Sequence, residues 1–147
     1  MPRQYNQGTY KVKNMDKYVG KKHPRYLSSY EYHMFSFLDR SPAVVKWGAE
    51  MVVVPYYNEV KKRKARYIVD VYVKYKDKDG NFKEELIEIK PFDQTQPPKR
   101  GRKRKDVYME EMFTYIQNQN KWEAAQKYAE ERGWEFRIMT ENSLFKS

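Results

Sequence analysis

The chain has 147 residues, one domain by length, with charged residues abundant (34%) and hydrophobic residues lean (39%). It has no cysteine, which excludes disulfides and thiolate zinc sites, and no apolar run approaching the roughly 18–20 residues that span a bilayer. Thirty Lys and Arg against twenty Asp and Glu leave a formal charge of +10; with no apolar signal region at the N-terminus, a soluble intracellular protein is expected.

Residues 1–25 are polar and turn-rich, with seven basic side chains (Arg3, Lys11, Lys13, Lys17, Lys21, Lys22, Arg25) against the single acid Asp16. They read as a basic N-terminal arm rather than core, leaving residues 26–147 as the folded domain. In "SSYEYHMFSFLDRSP", Tyr30, Met34, Phe37 and Leu38 recur at helical spacing, and Ser41-Pro42 ends the helix. "VVKW" and "MVVVPYY" form an apolar, β-branched strand broken around Gly48. The basic turn "NEVKKRKA" leads to a second strand, Arg66 to Lys76. Asp79-Gly80 signals a hairpin, and a third strand runs from about Phe82 to Lys90.

A loop rich in Pro, Lys and Arg, residues 91–105, comes next. Helical pattern resumes at Asp106, an expected N-cap, with Val107, Met112, Phe113 and Ile116 on one side. Asn120 and Glu123 match a capping box for a further helix to Arg132, and Gly133 suits its C-cap. "WEFRIMT" alternates as a last strand. Helix, three strands, one or two helices and a strand make an α/β domain around a mixed sheet. The fourteen tyrosines are expected at the core's edge, with their hydroxyls in water.

The positive charge is clustered. Lys61, Lys62, Arg63, Lys64 and Arg66 form one run; Lys99, Arg100, Arg102, Lys103, Arg104 and Lys105 form another. A single run of this kind is as easily a solvated loop. Three basic segments in a short chain favour a polyanion, bound through counterion release. Nucleic acid fits better than an anionic membrane, since no run lies on a clear amphipathic helix.

Asp70 lies in the apolar run of the second strand, and Glu88 and Lys90 share one face of the third. Two carboxylates on adjacent strands can hold magnesium, with the carbonyl of Ile89 a natural third oxygen. Such an ion, beside a lysine, is the equipment for phosphodiester hydrolysis. The plainer alternative for Glu88 and Lys90 is an exposed ion pair of little worth. Asp70 is a poor strand former, seven positions before the turn that would explain a structural aspartate. Glu31, on the first helix, is either a fourth member of the site or the last residue of a Ser28-Ser29-Tyr30-Glu31 capping box.

The turn decides whether the site exists. A two-residue Asp79-Gly80 turn sets Asp70 opposite Ile89, and Asp70 and Glu88 then face opposite sides. A three-residue loop sets Asp70 opposite Lys90, and a five-residue loop sets it opposite Glu88. The nuclease reading therefore requires an odd loop or a β-bulge. His23 and His33, ten apart, without a second pair or a cysteine, do not have the spacing of a zinc site.

Glu31, then "RYIVD" ending in Asp70, then "EIK" of residues 88–90, resembles the PD-(D/E)xK nuclease superfamily. Val69 stands where that superfamily often has proline. More narrowly, "SSYE", "VVVPYY", "RYIVDVYV", "ELIEIKP" and "KWEAAQKYAEERGWEFRIMTE" resemble the head-completion nucleases of large contractile-tailed phages, which have relatives among TnsA-type transposase endonucleases. The resemblance spans about residues 23–145. It implies a restriction-endonuclease-like α-β-β-β-α-β core, a mixed sheet flanked by helices. It implies Asp70 and Glu88 as ligands of Mg2+ or Mn2+, Lys90 as catalytic lysine and Glu31 as helix acid. Glu50 is a further candidate ligand or an ordinary surface acid. The implied partners are double-stranded DNA and phage capsid, portal or neck proteins, in the host cytoplasm during assembly or within the virion, with no membrane. Phosphate-gripping side chains imply little base specificity.

Two other readings stay open. One is a basic head or neck component that binds DNA or portal without cleaving; the quartet Glu31, Asp70, Glu88 and Lys90 argues against it. The other is a transposase-type or junction-resolving endonuclease, which in 147 residues needs a partner to supply specificity.

Overall fold

The computed structural model describes residues 7–144. Arg3 of the basic segment, and the last three residues of the expected domain, lie outside that span.

Alternating apolar residues build a four-stranded sheet. Its strands are β3 (Val44–Ala49), β6 (Val71–Lys76), β7 (Phe82–Ile89) and β8 (Glu135–Met139), in that order across the sheet. The pairs β3–β6 and β6–β7 are antiparallel, and β7–β8 is parallel. A parallel neighbour needs a long crossover, supplied here by the helix α2 (Lys105–Glu131). Odd-numbered positions of β6 and β7 (Val71, Val73, Ile87, Ile89) face α1 (Ser29–Arg40), and even-numbered Tyr72 and Leu86 face α2. Each face closes its own core, one around Trp47, Phe35 and Leu38, the other around Trp122, Ala125 and Val54. The mixed sheet between helices is the expected α/β architecture.

The segment expected to be an arm differs from that expectation. Gly8–Thr9 (β1) pairs with Arg25–Tyr26 (β2), and Tyr10 and Val12 are buried in the α1-side core. Asp39, wholly buried, anchors this stretch: its carboxylate accepts the Tyr10 hydroxyl at 2.7 Å and the N–H groups of Lys13 and Asn14 at 2.8 and 3.0 Å. These bonds hold its pKa below the usual carboxylate value despite burial. Basic charge on Lys11 and Lys13 concealed alternating partners that point inward.

The first two expected strands are each broken, but not at Gly48. Gly48 sits inside β3, where a Cβ would come within 2.7 Å of the Val19 carbonyl. The break falls at residues 50–52, facing residues 69 and 70. Beyond it the chain continues as a two-stranded ribbon, β4 (Val53–Asn58) with β5 (Arg63–Ile68). One extra residue on the first strand makes a bulge, and Glu50 there has φ +53°. That region costs a non-glycine residue about 1 kcal/mol or more, and such bulges gather beside active sites.

Three further expectations are corrected. Phe37 points into solvent, 59% exposed, while Phe35 takes its place in the core. Asp106 lies in the first turn of α2 rather than at its N-cap, which is Arg104. Asn120 starts no new helix: α2 runs unbroken, and the Asn120 side chain bonds the turn of the ribbon at Glu59. Gly133, at φ +74°, does end the helix as expected. A short helix α3 (Glu141–Leu144) follows β8. The tyrosine hydroxyls are not all in water: Tyr10, Tyr67, Tyr72 and Tyr75 donate to Asp39, Glu88, Glu84 and Glu85. Among the described residues no helix is long and apolar enough to cross a membrane.

Candidate active site

The β6–β7 connection is a five-residue loop, residues 77–81, with Val71 opposite Ile87 and Lys76 opposite Phe82. Asp77 organises it by accepting the N–H groups of Asp79 and Asn81 at 2.9 Å, and Gly80 takes φ +85°. Continuing the register by one residue sets Asp70 opposite Glu88. The odd loop on which the carboxylate pair depended is present.

Asp70 lies between β5 and β6, where the ribbon bends away. Its carbonyl accepts the Glu50 N–H at 3.0 Å, and its Oδ2 accepts the Ile89 N–H at 2.8 Å. Burial pushes the Asp70 carboxyl up to about 8, and the negative charges of Glu88 and Glu31 push the same way, against the Ile89 N–H. Glu88 is only 6% exposed. Its Oε1 accepts the Tyr67 hydroxyl at 2.5 Å, and its Oε2 lies 3.7 Å from Lys90 Nζ. Burial and the Glu88 charge in turn raise the Tyr67 phenol far above its ordinary value. The Lys90–Glu88 pair is real, yet its acid is buried, unlike the surface pair that was the plainer alternative. Lys90 is half-buried and tied to β8 by its N–H on the Met139 carbonyl at 3.0 Å.

Glu31 meets both of its readings in a modified form. Ser28 Oγ accepts the Glu31 N–H at 3.2 Å, half of a capping box. The carboxylate turns to Leu27 rather than Ser28, accepting that N–H at 2.6 Å through Oε1. Burial raises its pKa, the Leu27 N–H opposes this, Glu50 and Glu88 add to it and Lys90 subtracts. Glu31, Glu50 and Asp70 line one small cavity of about 90 Å3 with Arg25, Leu27 and Phe35.

Among the described residues no three His, Cys, Asp or Glu side chains converge as a metal cluster. Magnesium does not need three: it is commonly held by one or two carboxylates, completed by waters and substrate phosphates. Two crowded, hard-oxygen carboxylates, with Asp70 pushed upward by burial and by the Glu88 charge, fit such an ion.

Among the described residues the basic runs make no ion pair with Glu31, Asp70 or Glu88. Lys61, Lys62, Arg63, Lys64 and Arg66 are exposed on the ribbon and its turn, and none makes an ion pair among the described residues. Lys62 is eight residues from Asp70, roughly 25 Å along an extended strand. Lys99, Arg100, Arg102, Lys103, Arg104 and Lys105 are exposed before and at the start of α2. Lys103 is engaged by Glu111 at 2.6 Å and Arg104 by Asp106 at 2.9 Å. Tyr67 escaped the sequence reading: only its place three residues before Asp70 hinted at it. Of the histidines, His23 Nδ1 accepts the Val12 N–H, a structural role.

A mixed sheet between helices, with Asp just before one strand, Glu on the neighbouring strand and Lys two residues beyond the Glu, is the arrangement of restriction-endonuclease-like nucleases. Residues 41–141 match the family model for the TnsA-like endonuclease N-terminal domain. The chain is also 39% identical over 142 residues to the head completion nuclease of Enterobacteria phage T4, covering 93% of this chain and 92% of that protein. The chain belongs to the TnsA-like endonuclease family. Asp70, Glu88 and Lys90 fall within the matched segment; Glu31 precedes it.

Proposed function

We propose that this endonuclease is a divalent-metal-dependent deoxyribonuclease that acts on double-stranded DNA in phage head completion. The observation that carries this reading is the register that sets Asp70 opposite Glu88, with Lys90 3.7 Å from the Glu88 carboxylate. The name and near full-length match of the T4 relative support head completion as its setting. Capsid, portal or neck proteins are then its partners, in the host cytoplasm or in the virion.

Asp70 and Glu88, with the Ile89 carbonyl, would hold Mg2+ or Mn2+. When bound, the ion supplies positive charge beside the phosphate under attack. The chain's own residues prepare the rest. Tyr67 fixes Glu88 Oε1, and the Ile89 N–H fixes Asp70 Oδ2, so neither carboxylate can swing away. Lys90 Nζ orients the attacking water or offsets charge on the phosphate. Water oxygen bonds to phosphorus, the P–O bond to the departing sugar oxygen breaks, and a proton passes to that oxygen. Glu31 sits across the cavity as a further carboxylate able to hold a proton or a water. The exposed lysines and arginines grip phosphates and confer affinity without base preference.

The test is cleavage of linear, nicked and branched DNA with Mg2+ or Mn2+ beside an EDTA control. Cutting that depends on the metal supports the reading; cutting undiminished in EDTA, or binding without cutting on every DNA, contradicts it.

A further inference from the structure

The ribbon β4–β5 presents two different faces. Asn58, Val54 and Tyr67 turn inward toward α2. That back is fixed by Asn58 Nδ2 on Gln117 Oε1 at 2.8 Å and by Asn120 on Glu59 at 2.6 and 2.9 Å. The front is a row of cross-strand pairs: Val53 with Ile68, Pro55 with Arg66, Tyr57 with Lys64. All six are exposed, Tyr57 by 54% and Ile68 by 49%.

Along β4 this front is apolar and ends in an aromatic ring. Along β5 it is cationic, then apolar at Ile68, two residues before Asp70. No acid stands on it, and Lys64 and Arg66 have no ion pair among the described residues. A paired duplex would satisfy the cations but offers no base face to the apolar row. An unpaired strand offers both, phosphates for Lys64 and Arg66 and a base to stack on the Tyr57 ring. A ribbon already held from behind by α2 also loses little freedom on binding.

We propose that this front face binds an unpaired DNA strand, stacks a base on Tyr57 and leads the strand toward Asp70 and Glu88. The preferred substrate is then DNA with a single-stranded segment beside the cut, rather than a blunt, fully paired end. This deepens the DNA-nuclease reading and rests on it.

The experiment measures binding by fluorescence anisotropy, in EDTA, to a blunt duplex, the same duplex with a single-stranded extension, and the single strand alone. Tyr57→Ala should weaken binding to the last two by at least about fivefold and to the blunt duplex by less than about twofold. Tyr57→Phe should restore wild-type affinity. 2-Aminopurine in the extension should be quenched by wild type and Tyr57→Phe, and not by Tyr57→Ala. Equal losses on all three DNAs, or quenching that survives Tyr57→Ala, overturns the proposal. So does indifference of all three to Tyr57→Ala, which points to a protein partner for this face. Wild-type protein that binds none of the three DNAs defeats the nuclease reading itself.

Discussion

Tyr67 donates its hydroxyl to Glu88 Oε1 at 2.5 Å, joining residues twenty-one positions apart across the bend between ribbon and sheet. Tyr67 is 5% exposed, so its phenol replaces the solvent that Glu88 has lost. The bond occupies one carboxylate oxygen and leaves Oε2 toward Lys90. Removing the hydroxyl alone should loosen Glu88 without opening the core. Tyr67→Phe is expected to lower stability by about 1.5–3 kcal/mol, the worth of a hydrogen bond to a charged group. Mn2+ affinity, read by calorimetric titration, should fall about tenfold or more. A variant with wild-type Mn2+ affinity would show that Tyr67 serves folding only.

Asp70 carries a prediction about pH. Its folded pKa, about 8, lies above its unfolded value near 3.9. The stability it contributes is therefore complete below about pH 4 and is lost as pH rises toward 8 in metal-free protein. Asp70→Asn keeps an oxygen for the Ile89 N–H and abolishes the titration. Its melting temperature should match wild type at about pH 4 and below, and exceed it by a gap that widens steadily to about 5 °C or more at pH 8. A gap that does not widen with pH means that Asp70 is not strained by its neighbours.

Much of this arrangement was legible in the sequence, and the reasons are specific. The alternation in β6 and β7, the glycine after α2 and the Asp70…Glu88-Lys90 spacing are local signals, readable without the fold. The loop length was narrowed to odd values by asking Asp70 and Glu88 to share a face; the Asx bonds of Asp77 then select five residues. What stayed hidden was set by tertiary contact. Tyr10 and Val12 lie among lysines, and only buried Asp39 explains why they go inside. Asn120 carries a capping-box pattern that α2 overrides, because its side chain serves the ribbon turn. The bend at Glu50 has no glycine to announce it.

The two readings of Glu31 separate by substitution. Glu31→Gln keeps an acceptor for the Leu27 N–H and removes the charge facing Glu50, Glu88 and Lys90. Stability should change by less than about 0.5 kcal/mol, while cleavage drops by about tenfold or more. Ser28→Ala should do the reverse, costing about 1 kcal/mol of stability with cleavage intact. Full activity in Glu31→Gln would reduce Glu31 to a helix cap.

The two basic runs should differ in their effect on DNA binding. Among the described residues Lys61, Lys62, Arg63 and Lys64 have no acidic partner, whereas Lys103 and Arg104 are engaged by Glu111 and Asp106. Each lost phosphate contact lowers the slope of log affinity against log salt by about 0.9. Replacing the first four by Ala should flatten that slope by about 2–4, and the Lys103/Arg104 double variant by less than about 1. Equal slopes for wild type and the quadruple variant would remove the ribbon turn from the DNA path.

The most direct measurement is Lys90→Ala, assayed for DNA affinity in EDTA and for cleavage in Mg2+ and Mn2+. Lys90 stands beside Glu88 but lies outside both basic runs. Affinity within about twofold of wild type, with cleavage reduced by about a hundredfold or more, is the predicted result. Cleavage at the wild-type rate would contradict the assignment of this carboxylate–lysine site as the catalytic centre.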